Sequence, residues 1–146
     1  MTQHEEDEAI WPTPTKQDLL AAAGLSDELE REPVAKCPEL ERTEDGAFTL
    51  PSQFNYGPAV GGLMWFAQQS SPTAGDFNWP AWQDEAARLT NDPDALAKAD
   101  LVTIQKLLFL HWRKERFCLG HWAAIHSCGH LAAVAHRLGE LAEEME

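Results

Sequence analysis

The stretch LVTIQKLLFLHWRKERF, residues 101 to 117, carries the strongest periodic signal in the chain and most constrains its fold. Leu101, Ile104, Leu108, Trp112 and Glu115 recur every three or four positions, with Leu107 and His111 flanking the same face. That spacing is one buried stripe of a helix. Asp100 stands where an N-cap belongs, and Arg113, Lys114 and Arg116 gather at the end where the helix dipole favours cations. The closing stretch HLAAVAHRLGELAEEME repeats the pattern with Leu131, Val134, Leu138 and Leu141, which predicts a terminal helix.

The rest of the chain uses the same local signals. GPAVGGLMWFAQQ places apolar residues at 60, 63, 64 and 67 behind Pro58, a helix start. NWPAWQDEAARLT offers Asn78 as a cap, Pro80 in the first turn and Trp79, Trp82, Ala86 and Leu89 as its buried stripe. NDPDALAKA has Asp92 as a cap and Pro93 leading about two turns. EDGAFTLPSQFNY alternates Phe48, Leu50, Phe54 and Tyr56, which suits one small strand or an extended wrap, and Pro51 argues against a central strand. Strand signals are otherwise scarce. The expected fold is all-α, a compact bundle of about five helices over residues 44–146.

Ahead of it, residues 1–43 read as a poorly structured acidic arm. The first 45 positions hold thirteen Asp or Glu against four Lys or Arg, and prolines at 12, 14, 33 and 38 interrupt them. Only TKQDLLAAAGL offers a short helix there, capped by Thr15 and stopped by Gly24. The whole chain of 146 residues carries a net charge of -13, which opposes contact with a phosphate backbone and favours a protein partner with a basic surface. Glu5, Glu6, Asp7, Glu8, Trp11, Asp27, Glu28 and Glu30 are the candidate contacts. The acidic start lacks the basic and apolar regions of an export signal, no apolar run approaches a membrane span, and three cysteines are too few for a disulfide framework. These features point to the cytoplasm and away from membranes.

RFCLGHWAAIHSCGH, residues 116 to 130, concentrates the remaining chemistry. Cys118, His121, His126, Cys128 and His130 are all zinc-binding residue types; the expected cofactor is none, with zinc as the alternative this inventory offers. Their spacing is irregular. Only six residues separate His121 from Cys128, whereas zinc fingers usually place about a dozen or more between ligand pairs. On one unbroken helix those two would share a face but stand about 10 Å apart along the axis. His126 and His130 have the i, i+4 spacing of metalloprotease histidines without the glutamate, and Gly129 between them is a helix stop. On this reading Gly120 and Gly129 are joints between helices, the cysteines are small hydrophobes, and Phe117, Trp122, Ile125 and Leu131 pack the corner. The chain contains no nucleophile elbow, phosphate loop, dinucleotide fingerprint or paired-cysteine motif, and no catalytic residues are assigned.

The run from Asp76 to Leu138 resembles a small bacterial family of unknown function common on mobile elements. The likeness rests on DFNWPAW at Asp76 to Trp82, Asp100 and Leu101, Arg116 to Cys118 with Gly120, Gly129 and His130, and Arg137 and Leu138. It covers roughly residues 45 to 140. It implies a helical fold and transfers no activity, ligand or site. Small size, acidity and the mobile-element setting are similar to phage and plasmid inhibitors of host defence, such as anti-CRISPR proteins, which present carboxylates to basic nucleic-acid grooves. Two functions are therefore expected in competition: an acidic, non-enzymatic protein-interaction module of this kind, and a zinc-binding protein built on the Cys and His cluster.

Overall fold

A computed structural model of the chain describes residues 9–36, 41–42, 44–46, 48–49 and 55–145. Eight α-helices order it: α1 (Lys16–Ala23), α2 (Ser26–Arg31), α3 (Pro58–Gln69), α4 (Gln83–Asn91), α5 (Pro93–Ala97), α6 (Leu101–Lys114), α7 (His121–Ser127) and α8 (His130–Glu143). A 3-10 turn over Trp79–Trp82 leads into α4. Between α2 and α3 lies one antiparallel pair of two-residue strands, β1 (Glu41–Arg42) and β2 (Phe48–Thr49), with Glu41 opposite Thr49. Among the described residues no helix is long and apolar enough to cross a membrane.

Helix starts follow the side-chain caps read from the sequence. Thr15 and Asp18 exchange side-chain and backbone bonds in a capping box, and Gly24 ends α1. Asn78 accepts from Ala81 N–H, Asp92 from Asp94 N–H, and Asp100 from Thr103 N–H at 2.8 Å. Each bond satisfies a backbone donor that the first turn leaves without a helical partner. One cap comes from elsewhere. Glu32, just beyond α2, accepts from Ala59 N–H at 2.8 Å and Val60 N–H at 3.1 Å, tying the end of α2 to the start of α3.

The core gathers around α8. Leu131, Val134, Leu138 and Leu141 are buried there, together with Leu107, Leu108 and Ile104 of α6, Leu63 and Phe66 of α3, Leu89 of α4 and Trp122 of α7. Each such side chain contributes about 1.5–3 kcal/mol by leaving water.

Part of the N-terminal segment packs against the bundle. Helices α1 and α2 pack on α8, and their Leu19, Ala22 and Leu29 belong to the same core. Residues 10–14 are anchored as well. Ile10 exchanges backbone bonds with Ala74 and Thr73, and buried Gln105 donates from Nε2 to Pro12 O at 2.7 Å. Trp11 sets its ring edge-on against Phe77 and Phe109 at 5.5 and 5.9 Å.

Glu32→Ala should destabilise the fold by about 1 kcal/mol, the usual worth of an N-terminal cap, with Glu32→Gln intermediate because it retains one acceptor. Urea denaturation checks this. An Ala variant as stable as the parent would show that α3 needs no cap from α2.

Candidate functional site

The break between α6 and α8 gathers a carboxylate, a phenol and three imidazoles. Gly120 (φ 89°) and Gly129 (φ 84°) occupy the left-handed region and precede α7 and α8, so they are the joints the sequence suggested. Glu115, the residue after α6, fixes the first joint. Its carboxylate accepts from Gly120 N–H and Trp122 N–H, both at 3.0 Å, and from the Tyr56 hydroxyl at 2.8 Å. Burial, followed by the bond to Glu115, raises the Tyr56 pKa. Trp122, fully buried, donates from Nε1 to His111 O at 2.9 Å. The short helix α7 is thus clamped to the last turn of α6 at two levels.

The clamp lines up three imidazoles. His111 Nδ1 lies 2.8 Å from His121 Nε2, and His111 Nε2 lies 3.0 Å from His130 Nε2. His111 and His130 are buried; His121 is half-buried. Burial, the neighbouring rings and Lys114 hold His111 well below the ordinary histidine range. His121 is lowered to about 4 by burial and the Lys114 charge, against a smaller opposite effect of Glu115. His130 is lowered to about 4 by burial and then by His121. All three are neutral at pH 7, and a neutral ring has one N–H and one lone pair. His111 therefore donates in one of its two contacts and accepts in the other. A cleft of about 170 Å³, lined by Gln83, Thr90, Asn91 and Lys114, reaches His111 and His121 from outside.

The five metal candidates separate. His121 and His130 both reach His111. His126 Nε2 instead donates to Leu29 O at 2.7 Å, Cys128 Sγ to Ile125 O at 3.4 Å, and Cys118 is exposed. Among the described residues no three His, Cys, Asp or Glu side chains converge as a metal cage. His111 is the residue that sequence spacing passed over, since its partners lie ten and nineteen positions later on other helices. A histidine beside the buried stripe of α6 was its one visible signal. Of the four corner residues, Trp122, Ile125 and Leu131 are buried. Phe117 is not. It is 72% exposed and stacks on Trp79 at 5.9 Å, because the chain turns outward between Glu115 and Gly120.

The partner candidates also divide. Asp27, Glu28 and Glu30 are exposed on α2, Trp11 is packed inward, and Glu5, Glu6, Asp7 and Glu8 lie outside the described residues, as does Cys37. A cleft of about 490 Å³ opens between α1 and α3, with walls from Pro12, Pro14, Asp18, Ala21, Leu25 and Phe66. Trp65, on the same cleft, is 62% exposed. Asp27 and Glu30 line a second cleft, with residues of α5 and α8 opposite.

The histidine chain should make the protein acid-sensitive. Above the ordinary histidine value of 6.5 the rings are neutral folded or unfolded, and nothing is lost. Between 6.5 and about 4 the unfolded chain takes up protons that the folded rings refuse, so stability falls as pH falls through that window. Denaturation midpoints across it should decline, and His121→Asn and His130→Asn should flatten the decline. An unchanged slope in both variants would assign the acid sensitivity elsewhere.

No curated protein and no solved structure matches the chain. A family of unknown function (DUF6508) matches residues 14–144, so α1 and α2 lie within the match, which begins well ahead of residue 45. The chain belongs to that family.

Proposed function

We propose that the protein is a non-enzymatic, acidic interaction module that acts by covering a basic surface of another protein. One observation carries this reading. An apolar cleft between α1 and α3 carries Asp18 and an indole, Trp65, that is largely in water, and the nearby helix α2 adds exposed Asp27, Glu28 and Glu30, the first and last on a second cleft. An apolar pocket with an aromatic anchor supplies binding energy, while carboxylates around it select a cationic partner and speed the encounter. The net charge of -13 gives the same preference at long range.

Basic protein surfaces of this kind commonly hold nucleic acid. The specific form of the proposal is an inhibitor that occupies such a groove in a host defence complex, in the manner of an anti-CRISPR protein.

The test uses the full chain, the charge-reversed triple variant Asp27→Lys, Glu28→Lys, Glu30→Lys, and Trp65→Ala, each as bait in host extract at low salt. The expected partner is basic, is released by raised salt and by added nucleic acid, and associates on the order of tenfold more slowly with the charge-reversed bait. Trp65→Ala should hasten its dissociation. Capture that is equal for all three baits would overturn the assignment to this face.

A further inference from the structure

We propose that His111 Nδ1 and His121 Nε2 form a two-imidazole site for a borderline transition-metal ion such as Zn²⁺, with His130 orienting His111. The inference is independent of the protein-binding reading. Two imidazole nitrogens on one tetrahedral zinc ion, each bound at 2.0–2.1 Å, stand about 3.3 Å apart. The two nitrogens here are 2.8 Å apart, so the rings need to part by roughly 0.5 Å for an ion to enter. His121 is the ring placed to move. It is half-buried and begins α7 directly after the Gly120 joint, whereas His111 is buried in the last turn of α6.

The other side of His111 already has the partner that such a ligand needs. When an ion takes the Nδ1 lone pair, the ring proton must sit on Nε2, and His130 Nε2 at 3.0 Å is there to accept it. Metal-binding histidines generally donate their second nitrogen in this way, which fixes both tautomer and ring orientation. Access is open as well. The cleft of about 170 Å³ reaches both ligand rings and has room for water in the remaining coordination positions, beside the neutral oxygens of Gln83, Thr90 and Asn91. Cys118, His126 and Cys128, which spacing alone would enlist, do not line this cleft.

Lys114 lines the same cleft, and its ammonium opposes a dication. This gives the proposal a sign that a surface histidine would not reproduce: neutralising Lys114 should tighten binding.

The experiment strips the untagged full chain of metal and titrates it with zinc alone, following heat and mass by calorimetry and native mass spectrometry. One equivalent should bind. His121→Asn should abolish that equivalent, Lys114→Gln should strengthen it several-fold, and His130→Gln should weaken it by roughly 10–100-fold, as loss of an orienting partner does. Cys118→Ser and Cys128→Ser should leave it unchanged. Lys114 and His121 are both partly exposed, so those two variants decide the matter even where His130→Gln disturbs the core. Absence of zinc uptake at stoichiometric concentration, uptake that survives His121→Asn, or dependence on the cysteines would overturn the site and leave the three rings as a hydrogen-bonded chain only.

Discussion

The Glu115 carboxylate is the contact on which the arrangement of the polar site depends. It gathers a hydroxyl from the loop before α3 and two backbone donors from the start of α7, and so converts the end of α6 into a right place for α7 to begin. Hydrogen bonds to a charged acceptor contribute about 1.5–3 kcal/mol each. With the buried Trp122, they hold a seven-residue helix that is too short to persist by its own backbone bonds. The position of α7 in turn sets two distances: Trp122 under the backbone of His111, and His121 against its ring.

Much of the fold was legible because its signals are local. Caps at Thr15, Asn78, Asp92 and Asp100 depend on residues two or three positions apart, and the stripes of α6 and α8 depend on a single period. The two joints were legible for the same reason, since glycine readily adopts positive φ. What escaped the sequence depends on where distant segments meet. Helices α2 and α7 are six and seven residues long, too short to display a period. The Glu32 cap acts on the start of α3, and Gln105 holds Pro12 from the far side of the core. His111 is the clearest case. Its sequence neighbours explain its burial, but only the fold explains why a polar ring is tolerated there, with both nitrogens engaged by other histidines.

The surface is organised differently from the interior. The charge concentrated at the front of the sequence is partly absorbed into structure. Asp18 closes a capping box and Glu32 caps α3, while Asp27, Glu28 and Glu30 remain in water. An acidic segment thus does two jobs, and its density of carboxylates is no guide to how many are free. The aromatic residues divide in the same way. Trp11 is drawn into a cluster with Phe77 and Phe109, whereas Trp65 stays out on the cleft between α1 and α3.

The three-ring chain also works as a logic element. Because neutral His111 has one proton for two contacts, its bond to His121 and its bond to His130 cannot be set separately. Any event at the outer ring that dictates which nitrogen of His111 holds the proton also dictates whether His130, at the first residue of α8, must give or receive one. The tautomer of one buried ring therefore ties the imidazole on the outer cleft to the imidazole at the head of the central helix.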